Sequence, residues 1–171
     1  GAHAKNYGRG AGYVFRTSDG ATYAEVAKLT ASDAAASDNF GRSVTISGDT
    51  VVVGADQDDS ERGSVYVFST SNTTYVEVAK LTAADAAASD NFGRSVALSG
   101  DTIVVGAHAK NSGRGAVYVF RTSDGGATYG QVAKLTAADA AAYDHFGYSV
   151  AIDGTTVVVG AMGDGNYYGS D

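Results

Sequence analysis

Residues 90–107, with the sequence DNFGRSVALSGDTIVVGA, decide the fold of this chain because close copies of them occur three times. Each copy opens with a Phe-Gly pair, continues through two short β-branched runs joined by a tight turn, and ends in a Gly-Ala pair. The pairs are Phe40-Gly41, Phe92-Gly93 and Phe146-Gly147 at the start, and Gly54-Ala55, Gly106-Ala107 and Gly160-Ala161 at the end. Two strand-forming runs around such a turn predict a β-hairpin in every copy.

The repeat extends over the whole chain. Successive Phe-Gly pairs lie 52 and 54 residues apart, and a Lys-Leu pair that begins at positions 28, 80 and 134 has the same spacing. In the copy that starts at Phe40, apolar runs and turn residues predict four strands, at about residues 42–47, 50–55, 64–68 and 75–82, with a hairpin loop over 69–74. Four short strands in each repeat of this length are typical of one blade of a β-propeller.

The apolar runs of the predicted strands indicate that both faces of each sheet are buried. The runs Val51-Val52-Val53 and Val65-Tyr66-Val67-Phe68 lack the polar residue at every second position that a sheet with one wet face requires. Each blade of a propeller is packed between two neighbours, so the burial pattern agrees with the repeat length.

The repeats divide the chain into one repeat domain with four parts. Residues 1–38 are predicted to form the outer half of a blade plus a connection, 39–90 and 91–144 one blade each, and 145–171 the inner half of a blade. This makes about three blade equivalents, whereas propellers close with roughly four to eight blades. We therefore expect self-association or further repeats to complete the propeller. Residues 1–11 also nearly match 106–116, which suggests a super-repeat of two blades.

Composition excludes several classes of function. The formal net charge of −7 argues against a nucleic-acid surface, which needs clustered Lys and Arg. No apolar run approaches the roughly 20 residues that cross a bilayer, so no membrane insertion is expected. The chain has no Cys, which removes disulfides, thiolate metal sites and thiol nucleophiles.

The repeated motifs resemble the FG-GAP repeats of integrin α-subunit propellers and of related bacterial and algal secreted proteins. The resemblance rests on FGRSV at 40–44, VVVGA at 51–55 and GSVYVF at 63–68, together with their copies, and covers essentially the whole chain. It implies an all-β fold of four-stranded antiparallel blades and an extracellular or cell-surface location. It also implies partners, proteins or glycans, that bind to the variable loops.

Two departures from the family pattern limit what the resemblance implies about metals. The family often has Pro after Gly-Ala, but this chain contains no Pro. The family's Asp-rich calcium loop between the first and second strands is replaced by short turns such as Ser47-Gly48-Asp49-Thr50, which are too short to surround a Ca²⁺ ion. We therefore expect no metal and no cofactor.

Two acidic features have structural interpretations. The loop containing Asp56, Asp58, Asp59 and Glu61 has enough carboxylates for a cation but no regular ligand spacing, so a solvated loop is predicted. The Ala-rich connection 31–39 is predicted to form one turn capped by Asp33. Its Asp pair recurs in every connection, as Asp33/Asp38, Asp85/Asp90 and Asp139/Asp144, which favours turn capping and hydrogen bonds between blades.

No catalytic set can be assembled from residues that differ between repeats. His3, His108 and His145 are the only histidines, and His3 and His108 occupy equivalent loops two blades apart. We therefore assign no catalytic residue, and we interpret the Phe-Gly and Gly-Ala pairs as structural: Phe40 as a plug between blades, and Gly41 as a site of close approach or positive φ. Asn72 begins the sequon Asn72-Thr73-Thr74 in an exposed hairpin and is a candidate glycosylation site.

Together these features predict a non-enzymatic extracellular propeller module for adhesion, recognition or structural assembly. One alternative is the propeller scaffold of a secreted enzyme, whose channel residues should differ from blade to blade. Another is a carbohydrate-binding, lectin-like module that uses the His-Ala-Lys-Asn-x-Gly-Arg loops, at 3–9 and 108–114, as ligand sites on one rim.

Overall fold

The computed structural model describes residues 8–71 and 74–163, which form an all-β fold as predicted. Two four-residue helical turns, α1 (Asp58–Glu61) and α2 (Lys110–Gly113), interrupt the strands. The strands are β1 (Gly12–Thr17), β2 (Tyr23–Leu29), β3 (Ser43–Ser47), β4 (Thr50–Ala55), β5 (Ser64–Ser71), β6 (Thr74–Leu81), β7 (Phe92–Ser99), β8 (Thr102–Ala107), β9 (Ala116–Arg121), β10 (Gly130–Leu135), β11 (Phe146–Asp153) and β12 (Thr156–Ala161). None of the helices in the described ranges is long and apolar enough to cross a membrane.

The strands form four antiparallel sheets that follow one another along the chain. Two sheets are complete blades of four strands, in the orders β3-β4-β5-β6 and β7-β8-β9-β10. The first sheet contains only β1 and β2 and the last only β11 and β12. We number these sheets the first to the fourth blade, although the first and fourth are half-blades, and call the contacts between them the first, second and third junctions. The prediction of four-stranded antiparallel blades, about three blade equivalents in all, is confirmed.

Strand lengths differ from the prediction at one hairpin. β5 extends to Ser71 and β6 begins at Thr74, so the two strands leave only residues 72–73 between them rather than a loop over 69–74. The register of β5 against β6 shifts by one residue between Val67 and Phe68, and that of β1 against β2 shifts in the same way between Val14 and Phe15. The shared bulge shows that β1 and β5 occupy equivalent places in their blades.

The core lies in the junctions between blades. Along β4, Val51 and Val53 pack in the first junction and Val52 packs in the second, so both faces of the strand are buried. Phe40 and Phe92 are fully buried, and each lies edge-on against a Tyr and a Phe of the third strand of its own blade. Phe146 belongs to the core of the third junction. Each Phe of the Phe-Gly pairs therefore fills the space where two blades meet.

Neighbouring inner hairpins approach so closely that glycine is required at the contact. Gly93 has φ = 89°, and its carbonyl oxygen accepts a hydrogen bond of 2.7 Å from the Ser43 hydroxyl of the preceding blade. A Cβ on Gly54 would collide with that same carbonyl oxygen. The third junction repeats the arrangement, with Ser95 donating to the carbonyl of Gly147 at 2.8 Å. The Gly residues of both repeated pairs thus set the spacing of the blades.

Replacing Gly106 by Ala is expected to destabilise the protein by about 2–4 kcal/mol, because the added Cβ meets the backbone carbonyl of Gly147 and neither strand can move freely. Gly100→Ala is the matched control: Gly100 has φ = 53° but open space around the Cβ position, so only the backbone term of about 1 kcal/mol applies. Urea unfolding of the two variants measures the difference. Equal losses would show that blade spacing does not depend on the glycine contact.

Candidate functional site

Polar side chains collect at the end of the blades where each β4–β5-type loop meets the connection from one blade to the next. We call this end the loop rim; it comprises residues 56–63 and 108–115 together with the connections 30–42, 82–91 and 136–145. The two kinds of segment contact each other directly, for example through hydrogen bonds from the Asn91 amide to Glu61 O (2.8 Å) and from the Phe92 amide to Arg62 O (3.1 Å). The loop rim is therefore built from backbone contacts between blades.

The first Asp of two connections, Asp33 and Asp85, joins two blades through a cluster of three polar side chains. At the first junction Asp33 accepts hydrogen bonds from the Tyr66 hydroxyl at 2.7 Å and from Lys80 Nζ at 2.6 Å. The second junction repeats the cluster, with Asp85 bonded to Tyr118 at 2.6 Å and to Lys134 at 2.7 Å. We call these the Asp-Tyr-Lys clusters.

The Asp-Tyr-Lys clusters hold their charges in fixed states. Burial raises the pKa of the Asp33 carboxyl, but the hydrogen bonds from Lys80 and Tyr66 outweigh burial and lower it overall. The same balance lowers the pKa of Asp85 to about 2. Burial, followed by the hydrogen bond to Asp85, raises the pKa of Tyr118, so this hydroxyl remains a donor. These groups are suited to holding blades together rather than to exchanging protons near neutral pH.

The prediction that Asp33 caps a turn is wrong. Its carboxylate points to the next blade, while the turn in the connection is closed by Asp38, which accepts a hydrogen bond from the Ala35 amide. Asp90 and Asp144 do the same for the amides of Ala87 and Ala141. The predicted capping is thus made by the second Asp of all three connections, and the predicted hydrogen bonds between blades are made by the first Asp of two of them, Asp33 and Asp85.

One buried position of the loop rim carries opposite charges in the two complete blades. Asp58 in α1 is 7% exposed and lies 2.7 Å from Lys80 Nζ, and Ser64 donates a hydrogen bond to it. Lys110, the equivalent residue in α2, is 5% exposed and lies 2.7 Å from Asp90. Its Nζ also bonds to the carbonyl oxygen of Asp85. The Asp58 carboxylate is compensated by Lys80, and the Lys110 ammonium group by Asp90.

The sequence analysis missed this buried charge, although the repeat comparison contains a signal for it. Aligned from the Gly-Ala pairs, the position is Lys5, Asp58, Lys110 and Asp164 in the four copies. The residue six positions further on, at or just before the start of the following strand, varies with it, since Ala11 and Ala116 accompany Lys whereas Ser64 accompanies Asp. Such joint variation indicates contact, and Ser64 does contact Asp58. It also gives a physical basis for a super-repeat of two blades.

A chain of charges links the inner strands at the loop rim. Asp56 lies 3.3 Å from Arg42 of its own blade and 3.7 Å from Arg94 of the next. Arg94 continues the chain by donating to the Tyr148 hydroxyl at 2.7 Å and stacking over its ring. The prediction of a solvated acidic loop is therefore wrong for Asp56 and Asp58, which are 5% and 7% exposed, because ion pairs hold both carboxylates inside.

The third junction brings two histidines together, which the sequence analysis did not predict. The ring centroids of His108 and His145 are 5.4 Å apart, and His108 lies edge-on to Tyr148 at 5.5 Å. Burial, the Arg94 charge and His145 lower the pKa of His108 to about 4, so this ring is neutral at pH 7. The sequence contains a signal for this contact, because His145 stands where the preceding repeat has Asn91. The Asn91 side chain donates a hydrogen bond to Asp56 O, and Asp56 is the equivalent of His108.

Some of the residues singled out from the sequence lie within the described ranges and some lie outside them. Asn72 and His3 lie outside the described residues. Lys110 is buried in ion pairs, so it cannot present its charge to a ligand as the lectin-like interpretation of loop 108–111 requires. Within residues 8–71 and 74–163, no group of three or more His, Asp or Glu side chains is arranged to hold a metal ion.

Replacing Lys110 by Asp is expected to cost about 1–3 kcal/mol, because the new carboxylate is buried beside Asp90 with Lys134, the equivalent of Lys80, but without the hydroxyl that Ser64 gives Asp58. Adding Ala116→Ser should recover about 1 kcal/mol or more, since the hydroxyl supplies the hydrogen bond that Ser64 gives Asp58. A double-mutant cycle in urea, with Ala116→Ser alone as the control, measures the coupling. Additive changes would contradict the assigned contact between the two positions.

The comparisons with known proteins agree with this geometry. Residues 23–68, 75–120 and 129–171 match the family described as FG-GAP repeat, and the three stretches cover well over half of the chain. Each match begins at the fourth strand of one blade or just before it and includes the Phe-Gly and Gly-Ala pairs of the next. No curated protein matches the chain in sequence. The repeats, the four-stranded sheets and the matches lead to one conclusion: the chain belongs to the FG-GAP repeat family, as a β-propeller module.

Proposed function

We propose that the chain is a non-enzymatic, extracellular recognition or adhesion module that binds a protein or glycan partner through the exposed tips of its loop rim. The family motivates the location and the class of function. The loop rim is chosen as the binding surface by comparing the polar side chains that bond to other blades with those that remain exposed.

One observation supports this choice above the others: polar groups that recur in every repeat bond to one another across the junctions. The Asp-Tyr-Lys clusters of the first and second junctions are examples. In the loops 56–63 and 108–115, several side chains that remain exposed differ between the two complete blades, at the tips of α1 and α2. The exposed side chains that differ are Gln57, Asp59 and Glu61 of the second blade, whose equivalents in the third are Ala109, Asn111 and Gly113, while Ser60 and Arg62 recur as Ser112 and Arg114.

The backbone holds these tips in a fixed conformation. Asp59 and Ser60 have φ values of 48° and 61°, and Asn111 and Ser112 have 52° and 61°. Residues other than glycine seldom adopt this left-handed conformation, which costs free energy and is concentrated at functional sites. Tips that are already ordered lose little conformational entropy on binding, which favours their use as contact points.

The tips of the two complete blades differ in charge. In the second blade Asp59 and Glu61 outweigh Arg62, which is paired with Asp59 at 3.1 Å. In the third blade the exposed charge is that of Arg114. A partner that spans both blades would therefore meet a negative and a positive tip side by side, which favours one orientation of binding.

An enzymatic role has less support. A catalytic site in a central channel needs residues that differ between blades, whereas the inner strands repeat Arg42-Ser43-Val44 as Arg94-Ser95-Val96, and only Tyr148 changes the pattern in the fourth blade. His108 is neutral and packed against other rings rather than presented to a substrate.

Binding of the full chain to a printed array of purified glycans and polypeptides tests the proposal. The variant with Asp59→Asn and Glu61→Gln removes two charges from the tip of α1 and is expected to lose at least about tenfold in affinity for the best probe, as loss of two contact residues does. Asn is chosen because it tolerates left-handed φ. The matched control, Asp49→Asn with Asp101→Asn, removes two exposed charges from the turns at the opposite end of the blades.

Binding lost in the first variant and retained in the control supports the loop rim. Equal binding by both variants, or equal loss, would place recognition elsewhere. Turnover of a probe on the array by the purified chain would contradict the non-enzymatic assignment.

A further inference from the structure

The third junction differs from the second in the side chains at its loop-rim end. At the second junction Asp56 lies 3.7 Å from Arg94 of the next blade, and Asn91 donates a hydrogen bond to the carbonyl oxygen of Asp56. The equivalents of Asp56, Arg94 and Asn91 at the third junction are, in that order, His108, Tyr148 and His145. All three positions change together, so three rings stand where the second junction has an ion pair between blades.

The three rings pack against one another and connect three segments of the chain. The His108 ring, in the loop after β8, has its centroid 5.4 Å from that of His145 and lies edge-on to Tyr148 at 5.5 Å. His145, at the end of the connection 136–145, also places its Nδ1 atom 3.3 Å from the carbonyl oxygen of His108. Tyr148 belongs to β11. The loop of the third blade and the hairpin β11–β12 therefore meet at the His108 ring.

His108 lacks an anion that could compensate a positive charge on its ring. Its Nδ1 atom is buried, and none of the described residues forms a hydrogen bond with it. Within residues 8–71 and 74–163, no carboxylate forms an ion pair with the ring. Arg94, whose guanidinium group stacks over Tyr148, presents a positive charge to it. A proton on this ring would therefore be buried beside another cation, which is unfavourable.

The other charged groups around this ring are engaged elsewhere. In the same loop Lys110 is paired at 2.7 Å with an aspartate of the preceding connection. In the connection before β11 the Asp144 carboxylate accepts a backbone amide of its own turn, and His145 adds a second imidazole rather than an anion. On the side of the second blade, Asp56 pairs with Arg94. Uptake of a proton by the ring would therefore leave its charge unpaired.

We propose that the third junction is an acid-sensitive contact, in which protonation of His108 weakens the packing of the hairpin β11–β12 on the third blade while the second junction is unaffected. Two hydrogen bonds attach the hairpin there, from the Phe146 amide to Arg114 O at 3.2 Å and from Ser95 to the carbonyl of Gly147 at 2.8 Å. Phe146 and Gly147 lie in the sequence between the two rings that contact His108. Displacement of these rings therefore disturbs both hydrogen bonds.

The pKa of His108 gives the direction and the range of the effect. Burial, the Arg94 charge and His145 lower this pKa from its usual 6.5 to about 4. The contribution of the neutral ring to stability is therefore complete above about pH 6.5 and is lost as the pH falls towards 4. At the second junction the Asp85 carboxylate keeps its charge over this range, because its pKa is about 2.

This acid response goes beyond the proposed function, because it concerns the packing of rings within a junction and not the exposed tips of the loop rim. The tip substitutions at Asp59 and Glu61 change neither the rings nor Arg94 and should leave the response unaltered. A failure of one proposal can therefore be told from a failure of the other.

Native-state hydrogen exchange of the full chain at pH 7 and pH 5 tests the proposal. The amides of Phe146 and Phe92 are a matched pair, since each donates across its junction to an arginine carbonyl, at 3.2 and 3.1 Å. A ring with a pKa of about 4 when packed and 6.5 when exposed favours opening about twentyfold more at pH 5 than at pH 7. The protection factor of Phe146 should fall by this ratio relative to that of Phe92. A ratio that stays constant would overturn the proposal.

Two variants assign the response to His108. The double variant with His108→Asp and His145→Asn copies the residues of the second junction, and it should lose the pH dependence because an Asp beside Arg94 stays ionised over this range. His145→Asn alone keeps the His108 ring and should retain most of the fall. Loss of the pH dependence in the single variant, or its persistence in the double variant, would contradict the role of His108.

The titration of His108 in the wild-type chain provides a test that requires no substitution. The NMR signals of its ring protons, followed from pH 7 to pH 4, should show a midpoint below pH 5, because the ring is packed beside Arg94 without an anion. An imidazole exposed to solvent titrates near pH 6.5. A midpoint near 6.5 would mean that the junction does not oppose protonation and would overturn the proposal.

Discussion

The close approach of one inner hairpin to the next is the constraint on which the rest of this structure depends. Gly54 lies against the carbonyl of Gly93, and the hydroxyl of Ser43 bonds to the same oxygen. Because neither glycine carries a Cβ, the blades come near enough for Phe92 to be fully buried and for its amide to reach Arg62 O. A larger residue at either position would separate the hairpins and remove all of these contacts together.

The close packing of neighbouring blades buries charged groups at the loop rim. The same buried position is negative at the first junction and positive at the second, and each charge is paired with the opposite one. At the first junction burial raises the pKa of Asp38, and the nearby Asp58 charge raises it further, while Lys80 compensates. At the second junction Lys110 occupies the position of Asp58 and pairs directly with Asp90. Buried ion pairs add little to stability compared with apolar residues, but breaking one is costly. The charge at this position therefore has to match the groups around it, Lys80 and Ser64 for Asp58 and Asp90 for Lys110.

The sequence predicted the features that depend on local pattern and repetition. The hairpin turn at Gly48, the strands around Val52 and the burial of both faces follow from runs of β-branched residues and from tight turns, which act over a few residues. Other features depend on contacts between strands and loops that are distant in the sequence. They are the ion pairs of Asp56 and Asp58, the hydrogen bond from Tyr66 to Asp33, and the contact of His108 with His145. The local pattern of one strand contains no information on these contacts, and only comparison of aligned copies gives a signal, as it does for Ser64 and Ala116.

If the glycine contacts hold the blades at one spacing, the second and third blades must open together rather than one at a time. Native-state hydrogen exchange of the junction amides Asn91 and Phe92, compared with the amides of Val52 and Val104 in the sheets, measures this most directly. The account predicts one common opening free energy for all four amides, equal to that of global unfolding. Junction amides that exchange at a much lower free energy than the strand amides would show that the blades open independently, and would contradict it.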